Sequence, residues 1–447
     1  MNDQSPDLDL STLADATRGP LSRRTILAGS AFAVPAIALT AGTPAFAASG
    51  LTLAFDKASY SGKGCSTISG AQVSAMQGAT PKAGAAVTVS LAGGYTFATG
   101  GTSTTGTTGS NGLLTLPAIN VPANGGNGTA SATASGAAST SSTLSGSQST
   151  TAIYLDTSNQ RSTAGVPINS SPETAALFLA PDGRLIDGKS ANGTVIAYNV
   201  AAVGEVYVDE TGGDWTLPLL KTDGSNSYVE KSWERSTTGV PANSTPMSSI
   251  LFLAPDGRVL DGRAGGQPLA LDVVAFGGMY HDQSKPQWIM PLRKSDGSCS
   301  YLDTSQERGT YGVPSGSTPM VAALFLSPDG RVIDAYGSNG TVLATDVDKF
   351  GRIYVDQGAG RWSLPLSKKD GTCTYLLNSV ENATTGVPSG STPATSTLFL
   401  APDGRFIDGN QGNGSVLATN VESFGEVYID NTGGHWYMPL AIKKTSC

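Results

Sequence analysis

The chain has 447 residues, and its 27 Lys and Arg against 35 Asp and Glu give a net charge of −8. No basic tract offsets this charge, so we expect neither nucleic acid nor anionic lipid as a partner. Charged residues make up 14% of the chain, with 56 Gly and 25 Pro, a mixture typical of many short strands rather than of helices. Because there are only two His, a histidine-built catalytic centre or metal cage is excluded, and we expect no cofactor and no metal.

The first residues have the layout of an export signal. Residues 1–22 are polar, and Arg23 and Arg24 then open an uncharged stretch that continues to Ala47. Ala45-Phe46-Ala47 supplies the small residues that signal peptidase needs. The pattern resembles the twin-arginine signals of exported surface proteins of actinobacterial type. That resemblance implies that residues 1–47 are a signal peptide removed on export.

The alternative for this segment is a retained membrane anchor. Pro35, Pro44 and the many Ala and Gly make it a poor membrane span, which favours cleavage. No second long apolar run follows, so we expect no transmembrane segment after cleavage. The predicted location is extracellular or in the cell envelope.

Residues 50–150 predict a first domain of short strands. They are poor in charge, yet residues 86–91 and 113–116 alternate apolar and polar side chains, which indicates half-buried strands. The segments at residues 54–60, 83–89 and 108–112 resemble the bacterial Ig-like repeats of adhesin and invasin type. The resemblance implies a β-sandwich that serves as a spacer or an adhesive tip. Residues 135–150 are expected to form its last strand and a flexible Ser/Thr linker.

The remainder of the chain is one unit repeated four times. Pro-Asp-Gly-Arg begins at Pro181, Pro255, Pro328 and Pro402, and two further markers, a Gly-Val-Pro tripeptide and a Trp, keep the same spacing. Such self-similarity defines the architecture before any single element does. The repeats are placed at about residues 151–226, 227–300, 301–374 and 375–447.

Each repeat contains a Leu-Phe-Leu strand, such as Leu177-Phe178-Leu179, that presents large apolar groups to both faces. Neither face can meet water, so the sheets must stack. The predicted fold is all-β, an Ig-like β-sandwich followed by a four-repeat array. We favour a closed propeller-like ring over an open stack of β-modules. Asn199 and its equivalents Asp272, Asp346 and Asn420 are expected to cap a single helical turn.

Two sets of recurring residues are candidate ligand contacts. A Trp face can stack on a sugar ring while nearby carboxylates bind its hydroxyls. The equally plain alternatives are that the Trp are core anchors and that the Asp are structural. The candidates are Trp215, Trp288, Trp362, Trp436, Asp209, Asp282, Asp356 and Asp430. Trp233 is added because its counterparts are Asn159, Gln306 and Val380, so no repeated packing role explains it.

The four cysteines allow more than one arrangement. Cys299, Cys373 and Cys447 share one repeat position, whereas Cys65 lies in the first domain. If the shared position lies near a ring axis, a disulfide between Cys299 and Cys447 is possible; otherwise they are buried thiols.

These features favour a secreted or envelope-associated, non-enzymatic binding protein. We expect multivalent recognition of a glycan or of a cell-envelope protein, since repeated weak sites on one platform act together. One alternative is an extracellular polysaccharide hydrolase or lyase, for which the sequence shows no asymmetric carboxylate or His constellation and hence no catalytic residue. The other alternative is an inert structural surface or spacer protein.

Overall fold

The computed structural model describes residues 50–190, 192–209, 214–265, 267–282, 287–336, 340–356, 360–410, 414–430 and 435–447. Throughout these residues the regular secondary structure is β-strand, as the composition predicts. The proposed signal peptide, residues 1–47, lies outside the described residues. In the part of the chain that is described, we find no helix with the length and apolar character needed to span a membrane.

The first domain is built from strands β1 to β12 around one hydrophobic core. Its sheets have the strand orders β1-β4-β5, β3-β10-β7 and β2-β12-β11-β6-β8, with β9 paired to β4. In β6 the residues alternate between exposed and buried, and Val87 and Val89 are fully buried beside Tyr95 and Phe97. The period-two pattern therefore places one face of the strand in the core. The strand bounds are β1 Leu51–Phe55, β2 Ser59–Lys63, β3 Thr67–Ile68, β4 Gln72–Gln77, β5 Thr80–Pro81, β6 Ala86–Ala92, β7 Thr96–Phe97, β8 Ser103–Thr107, β9 Leu113–Thr115, β10 Ile119–Asn120, β11 Gly126–Thr133 and β12 Thr140–Ser147.

The flexible Ser/Thr linker expected before the repeats is replaced by a tight corner. Strand β12 ends at Ser147, and the first strand of the repeats begins at Thr150. Ser149, between them, is fully buried, and its N–H donates to the carbonyl of Ala123 at 2.7 Å. The prediction was wrong because residues 140–147 pair with the first domain as strand β12, which leaves two residues before β13.

In the repeats, large and small sheets alternate along the chain. The strand orders of the large sheets are β14-β13-β47-β45, β19-β21-β22-β23, β27-β29-β30-β31 and β36-β38-β39-β40, and a short strand joins the long central strand of each. Their bounds are β13 Thr150–Asp156, β14 Asn159–Ser162, β19 Val200–Val203, β20 Tyr207–Asp209, β21 Asp214–Lys221, β22 Asn226–Glu230, β23 Trp233–Ser236, β27 Val273–Phe276, β28 Tyr280–Asp282, β29 Gln287–Lys294, β30 Cys299–Asp303, β31 Gln306–Gly309, β36 Val347–Phe350, β37 Tyr354–Asp356, β38 Arg361–Lys368, β39 Cys373–Leu377, β40 Val380–Ala383, β45 Val421–Phe424, β46 Tyr428–Asp430 and β47 His435–Lys443.

The small sheets have the strand orders β15-β16-β17-β18, β24-β25-β26, β32-β33-β34-β35 and β41-β42-β43-β44. In each, Pro-Asp-Gly-Arg forms the turn of the hairpin that follows the Leu-Phe-Leu strand, as the sequence predicts. Their bounds are β15 Ser171–Thr174, β16 Leu177–Leu179, β17 Leu185–Asp187, β18 Thr194–Ala197, β24 Thr245–Pro246, β25 Leu251–Leu253, β26 Val259–Asp261, β32 Thr318–Pro319, β33 Leu324–Leu326, β34 Val332–Asp334, β35 Thr341–Ala344, β41 Thr392–Pro393, β42 Leu398–Leu400, β43 Phe406–Asp408 and β44 Ser415–Ala418.

Both faces of the small sheets are covered, which confirms the stacking predicted from Leu-Phe-Leu. Leu177 and Leu179 pack on the large sheet that follows, together with Leu217 and Val229. On the opposite face Phe178 has no exposed surface, and its equivalent Phe325 packs against the preceding large sheet. Each sheet is thus sandwiched between its neighbours.

Hydrogen bonds also join the fourth repeat to the first. Strand β47 pairs antiparallel with the whole length of β13, from Thr150 opposite Lys443 to Asp156 opposite Tyr437. Parallel bridges connect each large sheet to the next small sheet, and the bridge between Thr174 and Glu426 completes the series between the fourth and first repeats. The repeats are therefore joined in a closed series.

The helical turn expected after Asn199 is wrong. These four residues, Asn199, Asp272, Asp346 and Asn420, have φ between 55° and 58°. In each case a strand begins at the next residue. Asn and Asp tolerate this left-handed conformation better than other residues with a side chain. The same residue types that cap helices here reverse the chain between two strands.

Candidate binding sites at the sheet junctions

The candidate sites lie where a large sheet packs on the small sheet that follows it. We call these places junctions one to four, after the repeat that supplies the small sheet. At the base of each junction lies a tyrosine from β13, β22, β30 or β39, the strand beside the edge strand of the large sheet. These tyrosines are Tyr154, Tyr228, Tyr301 and Tyr375. Three of these rings are buried, and that of Tyr301 packs against the core around Phe325. Around each tyrosine, the polar side chains differ from repeat to repeat.

Junction two combines an exposed aromatic ring with two arginines. Glu230 lies two residues after Tyr228 on the same strand face and is ion-paired with Arg263, which follows the small-sheet strand β26. Arg235 Nε lies 3.6 Å from the second carboxylate oxygen of Glu230. The guanidinium of Arg263 also lies over the ring of Tyr228, 5.7 Å from its centroid. Trp233 is the cross-strand partner of Glu230, and 71% of it is exposed.

Junction one has the same plan with different cations. Asp156 Oδ1 lies 3.0 Å from His435 Nδ1, and its other oxygen lies 3.7 Å from Arg161 Nε. Lys189, at the position of Arg263, places its ammonium group 3.8 Å from the centroid of the Tyr437 ring. Burial lowers the pKa of Lys189, but the contact with Tyr437 and the nearby Asp156 outweigh it, so the pKa is raised overall.

Junction three replaces the second cation by a tyrosine. Asp303 accepts a hydrogen bond from Gln287 Nε2 at 2.6 Å, and Arg308 Nε lies 3.9 Å away. The ring of Tyr336, half exposed, lies 6.2 Å from that of Tyr301. Behind them, burial raises the pKa of Asp334, which accepts a hydrogen bond from the backbone N–H of Tyr336 at 2.9 Å.

Junction four lacks the ionic part of the plan. Leu377 stands where the other junctions have a carboxylate, and Asn382 stands where they have an arginine. The hydroxyl of Tyr375 donates to Asn410 Oδ1 at 3.1 Å. Val380, at the position of Trp233, is 63% exposed. This junction is therefore a natural reference for the other three.

Trp362 and Asp356, the predicted Trp and Asp ligand contacts of one hairpin whose side chains are both described, do not converge. Trp215, Trp288, Trp362 and Trp436 are half-buried, and each packs against the core between a small and a large sheet. Trp362 pairs across strands with Val355, so the adjacent Asp356, which is exposed, points to the opposite face. Asp209, Asp282 and Asp430 take the same position in their hairpins, but their side chains lie outside the described residues.

A second polar cluster joins all the repeats through the bridge residues. Arg352 from the third repeat is ion-paired with Glu205 from the first and with Glu426 from the fourth. Glu205 also accepts a hydrogen bond from the N–H of Met279 in the second repeat at 3.1 Å. The fourth equivalent position is Gly278, where a Cβ would lie 3.0 Å from a guanidinium nitrogen of Arg352. Gly at this position leaves the space that the arginine occupies.

The possible disulfide between Cys299 and Cys447 is wrong. Cys447 is bonded to Cys65 of the first domain, and Cys299 and Cys373 are buried free thiols whose pKa is raised by burial. The repeat position of these cysteines faces the small sheet, where Cys299 packs near Phe325, and not an axis shared by the repeats. Cys447 departs from its equivalents because the chain after Lys443 turns to the first domain, where the N–H of Lys444 donates to the carbonyl of Ser149.

Sequence reasoning identified Trp233 and missed the rest of the junctions. The available signal was variation: Arg161, Arg235, Arg308 and Asn382 are equivalent, as are Lys189, Arg263, Tyr336 and Asn410. Their contact with one another depends on the packing of each large sheet against the next small sheet. Within the described residues, no group of three or more His, Cys, Asp or Glu is placed to hold a metal ion.

No family model matches the chain, and no curated protein matches it. Among solved structures, it is similar to a puromycin-hydrolysing peptidase of Mycobacterium tuberculosis, with 14% identity and a TM-score of 0.34 over 56% of this chain. The chain covers only 53% of that peptidase chain. It is also similar to invasin, a bacterial integrin-binding protein, with 9% identity and a TM-score of 0.19 over 88% of this chain and 100% of that one. At TM-scores this low, neither likeness bears on the function of this chain.

Proposed function

We propose that this chain is a non-enzymatic, multivalent binding protein of the extracellular space or cell envelope that recognises glycans. In this proposal the first domain is an Ig-like module that carries a propeller-like ring of the four repeats, exported by the twin-arginine route. The observation that carries the proposal is the junction plan, in which one scaffold presents aromatic and ionic side chains at equivalent places and varies them. Buried anchors such as Phe178 and Phe325 stay the same in every repeat.

The chemistry of the junctions supports binding more than hydrolysis. A glycosidase needs one protonated and one ionised carboxyl group in unlike environments. At junction two, the carboxylate of Glu230 lies between two arginines and is ion-paired with both. Tyrosine, tryptophan and arginine next to a carboxylate offer apolar contact and hydrogen bonds to a sugar.

The disulfide supports an oxidising location. Cys65 and Cys447 are linked across a sequence separation of 382 residues, and such bonds persist outside the cytosol. Twin-arginine export moves folded proteins, so the bond would close after transport of the folded chain.

The test is a glycan-binding assay with the exported form, residues 48–447, with its disulfide intact. Arrays of bacterial cell-wall and other extracellular polysaccharides, printed at high and low density, should bind the protein. The apparent affinity should rise about 100-fold or more with density, because several junctions engage one surface. Absence of binding to every glycan would contradict the proposal, and turnover of a bound polysaccharide would favour the hydrolase or lyase alternative.

A further inference from the structure

We infer that junction two is a subsite for a sugar that carries an anionic group, with Trp233 as the stacking platform and Arg235 and Arg263 as the anion contacts. The inference rests on the proposed function and adds the charge of the ligand and the residues that select it. Its basis is the placement of an exposed indole beside two partly exposed guanidinium groups on one face of one junction.

The strand register puts these side chains together. Trp233 is opposite Glu230, and Arg235 is opposite Tyr228, on neighbouring strands of one large sheet. Side chains at alternate positions share a face, and cross-strand partners have Cβ atoms about 5 Å apart. Arg263 reaches the same carboxylate from the small sheet. The indole, both arginines and the tyrosine ring therefore line one continuous surface.

The two guanidinium groups at this surface remain partly open to solvent. Glu230 is the one carboxylate that Arg235 and Arg263 share, and its side chain is only 28% exposed, whereas theirs are 56% and 48% exposed. The carboxylate holds the two guanidinium groups in position, and about half of each arginine side chain still faces solvent. Guanidinium N–H groups that remain free to bond match a ligand carboxylate or phosphate.

The surroundings of Trp233 fit one sugar ring better than a protein surface. The other residues of its strand, Glu234, Arg235 and Ser236, are exposed and polar. A stable protein interface needs about 800 Å² per partner with an apolar centre, which one indole among charged neighbours does not supply. An indole face matches the apolar face of a single pyranose, and the adjacent arginines match an acidic substituent on that ring.

Repeat four supplies the matched substitutions. At the positions of Trp233, Arg235 and Arg263 it carries Val380, Asn382 and Asn410. The variants Trp233→Val, Arg235→Asn and Arg263→Asn therefore introduce residues that this fold already holds at an equivalent place. The control Val380→Asn introduces the residue of repeat one, Asn159, at junction four.

The experiment measures binding of three probes to the disulfide-bonded protein by calorimetry and tryptophan fluorescence. The probes are an oligogalacturonate, a phosphomannan fragment and a neutral galacto-oligosaccharide of equal length, so that carboxylate and phosphate sources of the anion are separated. We expect one anionic probe to bind at least tenfold more tightly than the neutral one and to shift the emission of exposed Trp233 to the blue. Trp233→Val should lower that affinity about tenfold or more. Each arginine variant should lower it and weaken its salt dependence, while Val380→Asn should change neither.

The outcomes separate this inference from the proposed function. Equal binding of neutral and anionic probes, or binding that Trp233→Val leaves unchanged, overturns the inference while glycan recognition by the protein still stands. Loss of a protein partner in Trp233→Val, with glycan binding intact, also overturns it. If no glycan of any kind binds, the proposed function itself fails.

Discussion

Arg352 of the third repeat is ion-paired with Glu205 of the first repeat, and Glu205 is almost completely buried, with 7% of its side chain exposed. The contact links residues that belong to non-adjacent repeats. It is possible only because the bridge residues of all four repeats meet at one place, with Gly278 leaving the space for the guanidinium group. The ion pairs of this cluster therefore form only when the repeats are joined in the closed series, and they link the repeats to one another.

Removing Arg352 should be costly. In Arg352→Ala, the carboxylate of Glu205 stays buried without its cation, which costs about 3 to 5 kcal/mol of the free energy of unfolding. The matched control is Arg405→Ala, which breaks the exposed pair with Asp403 and should leave the free energy of unfolding nearly unchanged. Chemical denaturation of both variants measures the difference. A double variant, Arg352→Met with Glu205→Gln, should recover much of the loss, and equal small effects of both single variants would show that the cluster carries little stability.

The disulfide should stabilise the protein without defining its fold. Gln148 Nε2 and the N–H of Lys444 form hydrogen bonds that bring the chain end to the first domain independently of the Cys65–Cys447 bond. Cys447→Ser should therefore fold, with a loss of about 2 to 5 kcal/mol, because the open chain gains conformational freedom when it unfolds. Thermal melts with and without a reductant test this. Reductant should lower the Tm of the wild type and leave that of the Cys65→Ser, Cys447→Ser double variant unchanged; a lowered Tm of the double variant would mean that Cys299 and Cys373 are not free thiols.

Asp334 should make stability fall as the pH rises. Burial raises its pKa in the folded state above the usual 3.8, so the folded protein binds more protons than the unfolded chain in the window just above that value. Stability is therefore lost as the pH rises through this window. Asp334→Asn should remove this loss and be the more stable protein at neutral pH.

The equivalent Asp408 is the control for Asp334. Its carboxylate accepts a hydrogen bond from Thr397 Oγ1 at 2.7 Å and another from the N–H of Asn410 at 3.0 Å. Asp408→Asn should lower stability at neutral pH, since a bonded carboxylate is lost. Denaturation curves from pH 3 to 8 for both variants provide the comparison. Stabilisation by Asp408→Asn but not by Asp334→Asn would contradict the conclusion that the buried carboxyl group of Asp334 is the destabilising one.

The large sheet formed by β14, β13, β47 and β45 lacks an ion pair that the other large sheets contain. Elsewhere a lysine of the central strand pairs with a glutamate of the edge strand, as Lys221 does with Glu234 and Lys368 with Glu381. In the closing sheet, Ile442 and Gln160 occupy these positions, although they come from opposite ends of the array. Ile442 and Gln160 are both uncharged, so the closing sheet has neither the lysine nor the glutamate of this ion pair and leaves no charge unpaired at these positions.

Ile442→Lys alone should therefore destabilise the protein by about 1 to 3 kcal/mol, because a charge is placed beside partly buried Ile153. Adding Gln160→Glu should restore part of that loss by recreating the pair of the other large sheets. The double-mutant cycle, measured by denaturant unfolding, should give a favourable coupling between residues 160 and 442. Purely additive effects would mean that the two side chains are not neighbours.

The repeated strands and their burial could be predicted from the sequence, because these features are local. Leu-Phe-Leu has no polar face, and Pro-Asp-Gly-Arg has the residues that a tight turn requires, so two-sided packing and the hairpin follow directly. The closing strand pair is not local. Nothing in the pattern around Thr150 distinguishes a linker from a strand whose partner begins at His435.

The junctions could not be predicted for the same reason. Arg263 and Glu230 belong to different sheets, and only the packing of those sheets brings them together. The cysteines show how a repeat misleads: Cys447 shares its sequence position with Cys299, yet the chain after Lys443 turns to the first domain, where Cys447 is bonded to Cys65. The irregular residues, Trp233 among them, were the better guide to the candidate site.

Hydrogen–deuterium exchange of strand β13 tests the closed series most directly. In the other large sheets its equivalents, such as β22 and β30, lie between two strands and should exchange slowly. If β47 pairs with β13, peptides covering residues 150–156 and 435–443 should be protected as strongly as residues 226–230, and all should lose protection together with denaturant. Rapid exchange at 150–156 and 435–443, beside slow exchange at 226–230, would contradict the closed arrangement.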